Sequence, residues 1–359
     1  MKILITGANG FVGKNLCMAL AEHTLFNYDV DTDFLLLDEY CQSAEFVFHL
    51  AGVNRPKNQS EFMDNNFGFT KLLLEMLKKN GNTCPIALSS STQAVLDNPY
   101  GYSKLAGEEL LRTYAKETGA NVFIYRFPNI FGKWCRPNYN SAVATFCYNI
   151  ARDLPITVND SSNELTLAYI DDVIDVFKRA LEGKNIPVVT YSATLGHIVC
   201  LLEDFKNSRV SLSIPDLSDA FTKKLHATYL SYLPEDRFSY PLKMNVDDRG
   251  SFTEILRTKH HGQFSVNITK PNIVKGNHWH QTKNEKFLVV SGEGIIRFRL
   301  IGSDKTVEYP VSGDRLEVLD IPPGYTHNIE NTGIVDLVTF MWCNEQFDPE
   351  YPDTLYLEV

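Results

Sequence analysis

A change of texture late in the chain constrains its fold more than any other feature. Up to about residue 180, short apolar runs alternate with amphipathic stretches. Lys2-Ile3-Leu4-Ile5, Phe46-Val47-Phe48-His49-Leu50, Ile86-Ala87-Leu88 and Val122-Phe123-Ile124-Tyr125 read as strands, and residues 71–77 as helix. That alternation predicts a parallel sheet with helices on both faces. From about Phe252 onward, short β-rich runs are punctuated by glycine and proline, among them Gly262, Pro271, Gly276, Gly292, Pro310 and Pro322-Pro323-Gly324. This predicts an all-β barrel or jelly roll. Two domains also suit a length of 359 residues, which is too long for one ordinary core. The join is expected where proline and polar residues cluster, between Pro234 and Leu242, giving domains of residues 1–242 and 243–359.

Bulk composition narrows the class. Hydrophobic residues make up 44% and charged residues 22%, as in a soluble globular protein. The formal net charge of -10, with no basic stretch to offset it, argues against a nucleic-acid partner. No apolar run approaches the roughly 20 residues of a membrane span. Met1 runs straight through a strand into a glycine motif, so no signal peptide is expected. Seven cysteines with no C-x-x-C pair read as reduced thiols, and the cytoplasm is the expected compartment.

The N-terminal half carries its chemistry in two places. Gly7-Ala8-Asn9-Gly10-Phe11-Val12-Gly13 lies between the first strand and a helix-like run at residues 14–20. Glycines there permit a tight turn and close approach of a pyrophosphate to a helix N-terminus. Tyr100 and Lys104, four residues apart, share a helix face. A nearby ammonium is expected to lower the tyrosine pKa, suiting Tyr100 to exchange a proton with a carbonyl. Tyr102 competes for this role, but its i+4 residue is Ala106. A hydroxyl of Leu88-Ser89-Ser90-Ser91-Thr92, at a strand end, is placed to bind the same oxygen. Lys133 and Arg136, around Trp134, are cations able to hold a diphosphate or to form an ordinary basic loop.

Residues 1 to roughly 230 resemble an extended short-chain dehydrogenase/reductase acting on nucleotide sugars. Thr6 to Gly13 is similar to that family's cofactor loop, and His49-Leu50-Ala51-Gly52 to its fourth-strand signature. The resemblance implies a Rossmann-type fold and a catalytic set of Ser91, Tyr100 and Lys104. It places cofactor contacts at Gly7, Asn9, Gly10, Phe11, Val12, Gly13, Leu50, Ala51, Gly52, Tyr100 and Lys104. Arg126-Phe127-Pro128-Asn129-Ile130-Phe131-Gly132 resembles a segment whose asparagine contacts the sugar diphosphate, which makes Asn129 and Arg136 substrate candidates. Residues 169–173, Tyr-Ile-Asp-Asp-Val, match a later family motif. The serine-to-tyrosine spacing is short, so Thr92 stands beside Ser91 as the catalytic hydroxyl. The family implies NADPH, while residue chemistry alone does not separate it from NADH. Asp29, Asp31 and Asp33 crowd the expected ribose position, and only Lys14 or Arg55 offers a cation for a 2′-phosphate.

The C-terminal half carries metal chemistry. His278 and His280 alternate as strand neighbours on one face, followed by Glu285 and, beyond a Pro-Pro-Gly turn, His327. Three imidazoles and a carboxylate suit a divalent cation such as Zn²⁺, without identifying it. The spacing H-x-H-x4-E-x6-G, then P-x-G-x2-H-x3-N ending at Asn331, resembles the two motifs of a cupin. Residues 247–254 and Lys275-Gly276-Asn277-His278 resemble stretches of cupin-fold nucleotide-linked 4-keto-6-deoxyhexose 3,5-epimerases.

Taken whole, the chain is similar to the bifunctional capsular-polysaccharide enzymes of the CapF type. That resemblance implies metal-dependent C3 epimerisation of a UDP-2-acetamido-2,6-dideoxy-4-keto-hexose in the cupin domain. NADPH-dependent C4 reduction in the other domain then gives a UDP-linked 6-deoxy-talosamine derivative for capsule synthesis. It also implies a homodimer. The alternative is a nucleotide-sugar reductase whose zinc cupin is structural and dimerising.

Overall fold

The computed structural model describes residues 1–259 and 262–359. Contacts divide the chain into two compact units. One comprises Met1–Glu203 with Leu217–Pro234, the other Asp204–Asp216 with Glu235–Val359. The short piece Asp204–Asp216 groups with the later unit although it precedes residues of the earlier one.

The first unit alternates strand and helix: β1 (Lys2–Thr6), α1 (Phe11–Ala19), β2 (Thr24–Tyr28), α2 (Phe34–Ser43), β3 (Phe46–His49), α3 (Phe69–Lys79), β4 (Ile86–Ser91), α4 (Pro99–Thr118) and β5 (Val122–Phe127). These strands form one sheet in the order β2-β1-β3-β4-β5, with every neighbouring pair parallel. Strand alternation builds its two buried faces. Ile3, Ile5, Phe46 and Phe48 pack with Phe123 and Phe177 on one side, and Leu4 and Val47 with Leu37, Leu73 and Leu111 on the other. Strand order reverses between β1 and β3, which is where ligands settle at the carboxyl edge of such sheets. β6 (Asn129–Phe131), α5 (Ala142–Ile150), β7 (Glu164–Tyr169), α6 (Ile170–Leu181), β8 (Tyr191–Thr194), α7 (Leu195–Ser211) and α8 (Ala220–Leu230) follow, with β6-β7-β8 forming a small sheet.

The second unit is β-rich: β9 (Met244–Asp247), β10 (Gly250–Thr258), β11 (Gly262–Thr269), β12 (Val274–Trp279), β13 (Glu285–Ser291), β14 (Glu293–Leu300), β15 (Thr306–Ser312), β16 (Val318–Ile321), β17 (Tyr325–Asn331), β18 (Leu337–Cys343) and β19 (Leu355–Tyr356). They form two antiparallel sheets, ordered β16-β13-β18-β11-β10-β9 and β15-β14-β17-β12-β19. Phe287, Val289, Ile296, Phe298, Ile329 and Leu337 make the apolar core. This is the all-β architecture the glycine-punctuated pattern predicts, and it is consistent with the cupin resemblance of the His/Glu motifs. Among the described residues, no helix is long and apolar enough to cross a membrane.

Candidate active sites

The glycine loop leaves β1 at the sheet's reversal point. Gly7 has φ +73°, and a Cβ on it would stand 2.8 Å from the Ala51 nitrogen. A Cβ on Gly13 would stand 2.2 Å from the Gly7 carbonyl. Side chains are therefore excluded, and the resulting bare backbone at the start of α1 fits a pyrophosphate. Ala51 packs against this loop, and Gly52 makes room beside it: a Cβ there would lie 3.1 Å from Lys104 Nζ.

A cleft of about 790 Å³ gathers Gly7, Asn9, Gly10, Phe11, Val12, Gly13 and Leu50 with Ser91, Tyr100, Lys104, Asn129 and Arg136. Asn98 caps α4 by accepting from the Gly101 amide at 2.8 Å, and Pro99 begins the helix, so Tyr100 sits in the first turn. The Lys104 ammonium lies 5.9 Å from the Tyr100 ring centre and donates to the Ser89 carbonyl at 3.2 Å. Ser91 is buried, its hydroxyl accepts from the Gln93 amide at 3.1 Å and lies close enough to Tyr100 to act on its pKa, whereas Thr92 is exposed at the cleft wall. Tyr102 points elsewhere, donating its hydroxyl to Asp97.

One expectation needs correction. Lys104 was expected to lower the Tyr100 pKa. Burial instead raises it, with only the Ser91 hydrogen bond working the other way. The larger shift falls on the lysine itself, which burial pushes down to about 8 against the pull of Glu108.

Glu108 is a group that sequence reading missed. It is fully buried one turn beyond Lys104. It accepts from Ser90 at 2.6 Å, from Arg126 at 2.8 and 2.6 Å, and from Arg112 at 2.9 Å. This clamp joins α4 to β5 and to the end of β4, between Ser89 and Ser91. The signal was present, since Glu108 continues the i+4 series from Tyr100 and Lys104. Arg126, noted as part of a substrate motif, is committed to this clamp. His49 is also internal. Its ring bridges Thr6 at 2.7 Å and Thr70 at 2.8 Å, and burial lowers its pKa to about 3.

Of the two candidate loop cations, Arg136 lines the cleft, stacked 5.3 Å from Tyr139, while Lys133 pairs with Asp171 at 2.5 Å. Asp172, in the later family motif, pairs with Lys224 at 2.7 Å. Arg55 lines a neighbouring cleft with Asn138, Tyr139 and Asn140 and not the one holding the glycine loop.

In the second unit the metal candidates converge. A ligating atom from each of His278, His280, Glu285 and His327 lies within 4.8 Å of the others. The register shifts between Gly276 and His278, so that His278 pairs directly with His327 across β12 and β17. The turn of backbone there needs Gly276 at φ +104° and Asn277 at φ +60°. Glu285 opens β13, with its Oε2 3.4 Å from both His280 Nε2 and His327 Nε2. Those three atoms are buried and have no hydrogen-bond partner, which suits atoms that ligate a cation. Burial opposes charge on Glu285, yet His280 and His327 hold it far below the usual carboxylate range. Burial, then His327, pulls the His278 pKa down to about 4, which keeps the ring neutral and able to ligate.

A second missed residue orients this cluster. The Asp353 carbonyl accepts from His280 Nδ1 at 2.5 Å, which fixes the tautomer and leaves Nε2 facing the cluster. The Asp353 carboxylate accepts the amides of Gln281, Thr282 and Lys283 at 3.0, 2.9 and 2.8 Å. Nothing in local spacing links residue 353 to the histidines.

The cluster opens on a cavity of about 870 Å³, lined also by Phe252, Glu254, Arg257, Lys275, Lys283 and Phe347. Glu254 and Arg257 pair at 2.5 and 2.6 Å. Lys275 donates to Asn267 at 2.9 Å and to the Ile268 carbonyl at 2.8 Å. From the epimerase-like stretch, Phe252 and Glu254 reach this cavity, whereas Asp247 and Arg249 form an exposed ion pair at the β9–β10 turn.

Comparison with known proteins agrees with both halves. Residues 3–190 match the NAD dependent epimerase/dehydratase family, and residues 245–355 the polysaccharide biosynthesis C-terminal domain. The chain is 46% identical, over all of its length and 99% of the relative's, to a UDP-2-acetamido-2,6-beta-L-arabino-hexul-4-ose reductase of Pseudomonas aeruginosa. A crystal structure of the capsular polysaccharide assembling protein CapF from Staphylococcus aureus superposes with a TM-score of 0.96 at 56% identity, covering all of both chains. A UDP-glucuronic acid 4-epimerase from Bacillus cereus, in complex with NAD, shares the fold of the first unit. It covers 65% of this chain and 96% of its own, with a TM-score of 0.55 at 23% identity. The chain belongs to the NAD dependent epimerase/dehydratase family and, along its whole length, to the CapF type, in which that fold precedes a polysaccharide biosynthesis C-terminal domain.

Proposed function

We propose that this chain is a bifunctional nucleotide-sugar enzyme acting on a UDP-linked 2-acetamido-2,6-dideoxy-4-keto-hexose. The β-rich unit inverts C3, and the first unit then reduces the C4 ketone, giving UDP-6-deoxy-N-acetyl-talosamine for capsule synthesis. One observation carries the reading. The unpartnered His280, Glu285 and His327 atoms face a cavity large enough for a sugar, in a chain that also holds an assembled Ser91–Tyr100–Lys104 set.

Chemical order supports it. A proton on C3 is acidic only while C4 is a ketone, because the resulting carbanion is delocalised onto the oxygen. Inversion must therefore come before reduction. His278, His280, Glu285 and His327 would hold a divalent cation such as Zn²⁺, which would supply Lewis acidity to an oxygen gaining charge. Asp353 holds the His280 ring in the ligating tautomer. In the cleft, Ser91 orients the C4 oxygen and the Tyr100 hydroxyl gives it a proton. Lys104, half-buried beside them, holds positive charge near that hydroxyl. Asn129 and Arg136 bind the diphosphate. The loop of Gly7, Asn9, Gly10, Phe11, Val12 and Gly13, with Leu50, Ala51 and Gly52 beside it, would hold a reduced nicotinamide dinucleotide, which would supply the hydride. We place the working division at residues 1–242 and 243–359 and the assembly as a homodimer, which light scattering measures.

The test is the product formed from the 4-keto sugar with reduced nicotinamide present. NMR is expected to show inverted C3 and a new C4 hydroxyl. Reduction with C3 unchanged would leave the metal cavity with only a structural role.

A further inference from the structure

The adenosine end of the cofactor cleft has its own chemistry. In this sheet order, the carboxyl end of β2 lies beside the glycine loop. The Gly7 amide donates to the Tyr28 carbonyl at 2.8 Å, joining the two directly. The next residue is Asp29. Its carboxylate accepts from the Asn9 amide at 2.7 Å and from the Val30 amide at 2.8 Å, one bond to each oxygen. Its own amide donates to Thr32 Oγ1 at 2.9 Å. Asp29 is thus locked in place, with a lone pair still free on each oxygen. Two fixed acceptors side by side match the two hydroxyl protons of a ribose 2′,3′-diol.

A 2′-phosphate offers no such protons and brings close to two negative charges. It would meet more than Asp29. Asp31 accepts from the Asn9 side chain at 3.3 Å beside the glycine loop, and Asp33, which caps α2 through the Leu35 amide at 2.9 Å, adds negative charge near Tyr28. Between Lys14 and Arg55 the sequence has no lysine or arginine. Arg55 lines the neighbouring cleft. Lys14 follows the glycine loop in α1, beside the site of a pyrophosphate that both cofactors carry, so it favours neither.

Resting on the reductase reading above, we propose that this chain selects NADH over NADPH, with Asp29 as the selecting residue and Asp31 and Asp33 adding to the repulsion. This departs from the NADPH that resemblance to the CapF type implies.

The test is equilibrium binding of each reduced dinucleotide to the full-length protein at low salt, followed by nicotinamide fluorescence without any sugar. NADH is expected to bind at least about tenfold more tightly, a gap that narrows as salt screens the carboxylates. Asp29→Asn, which keeps an acceptor oxygen for one of the two neighbouring amides, is expected to narrow the gap by improving NADPH binding. Asp31→Asn, at an exposed position, is expected to act in the same direction less strongly, and it serves if the first variant does not fold. Equal or tighter binding of NADPH by the unaltered protein would overturn the proposal. So would a ratio that neither variant changes. Binding of neither dinucleotide would instead remove the reductase reading, and this inference with it.

Discussion

The two candidate sites are built on opposite principles. In the cleft, each candidate catalytic group sits against protein neighbours: Tyr100 is beside Ser91, Lys104 holds the Ser89 carbonyl, and Glu108 clamps the strand between them. In the β-rich cavity, His280 Nε2, Glu285 Oε2 and His327 Nε2 face one another without partners. The first arrangement suits groups that exchange protons and must be held in register. The second suits atoms that share a cation, because nothing else offsets the cost of burying them unsatisfied. Complete hydrogen bonding thus marks one site and missing hydrogen bonding the other.

The sharpest way to separate the sites is to disable each alone. Tyr100→Phe is expected to lower C4 reduction by 10²–10⁴-fold while leaving C3 exchange in place. A stopped exchange would show that the two sites are not chemically independent. Next in size is the metal cluster. His327→Ala is expected to abolish tight metal binding, read by chelator competition, and C3 inversion with it. Reduction of a sugar already inverted at C3 should persist. Loss of both activities in a folded variant would break the contrast.

Glu108→Gln probes the clamp. It leaves the partly exposed Arg126 and Arg112 without their counter-charge, and an expected loss of about 1–3 kcal/mol in unfolding free energy is measurable by denaturant titration. The smallest effect is one of pH. Lys104 titrates near 8 because burial disfavours its charge. Below that value its ammonium is present, and above it the ammonium is lost by about tenfold per pH unit. Reduction should therefore decline above pH 8, whereas C3 exchange, in a unit without Lys104, should not follow the same curve. Matching profiles would place the controlling group elsewhere.

How much of this was legible in the chain depended on distance along it. The glycine loop, the i+4 pair Tyr100/Lys104 and the i+2 pair His278/His280 were readable because strand and helix periods turn short spacings into shared faces. The choice of Ser91 over Thr92 as the Tyr100 partner was not, since it depends on how β4 ends against α4. The clamp through Glu108 needed β5 to bring Arg126 alongside. The shift at Asn277 that sets His278 opposite His327, and the support of His280 by Asp353, arise from pairings between distant strands and segments that no local pattern encodes. The expected effect of Lys104 on Tyr100 failed for a related reason. Spacing shows that two groups are near, but burial decides which of them titrates abnormally.

Metal-loaded Tyr100→Phe protein, incubated with the UDP-4-keto sugar in D₂O without any nicotinamide dinucleotide, isolates the first half of the reaction. NMR should show deuterium at C3 and the C4 ketone still intact. A sugar recovered with hydrogen at C3, from protein shown to hold its metal, would contradict inversion in the β-rich unit.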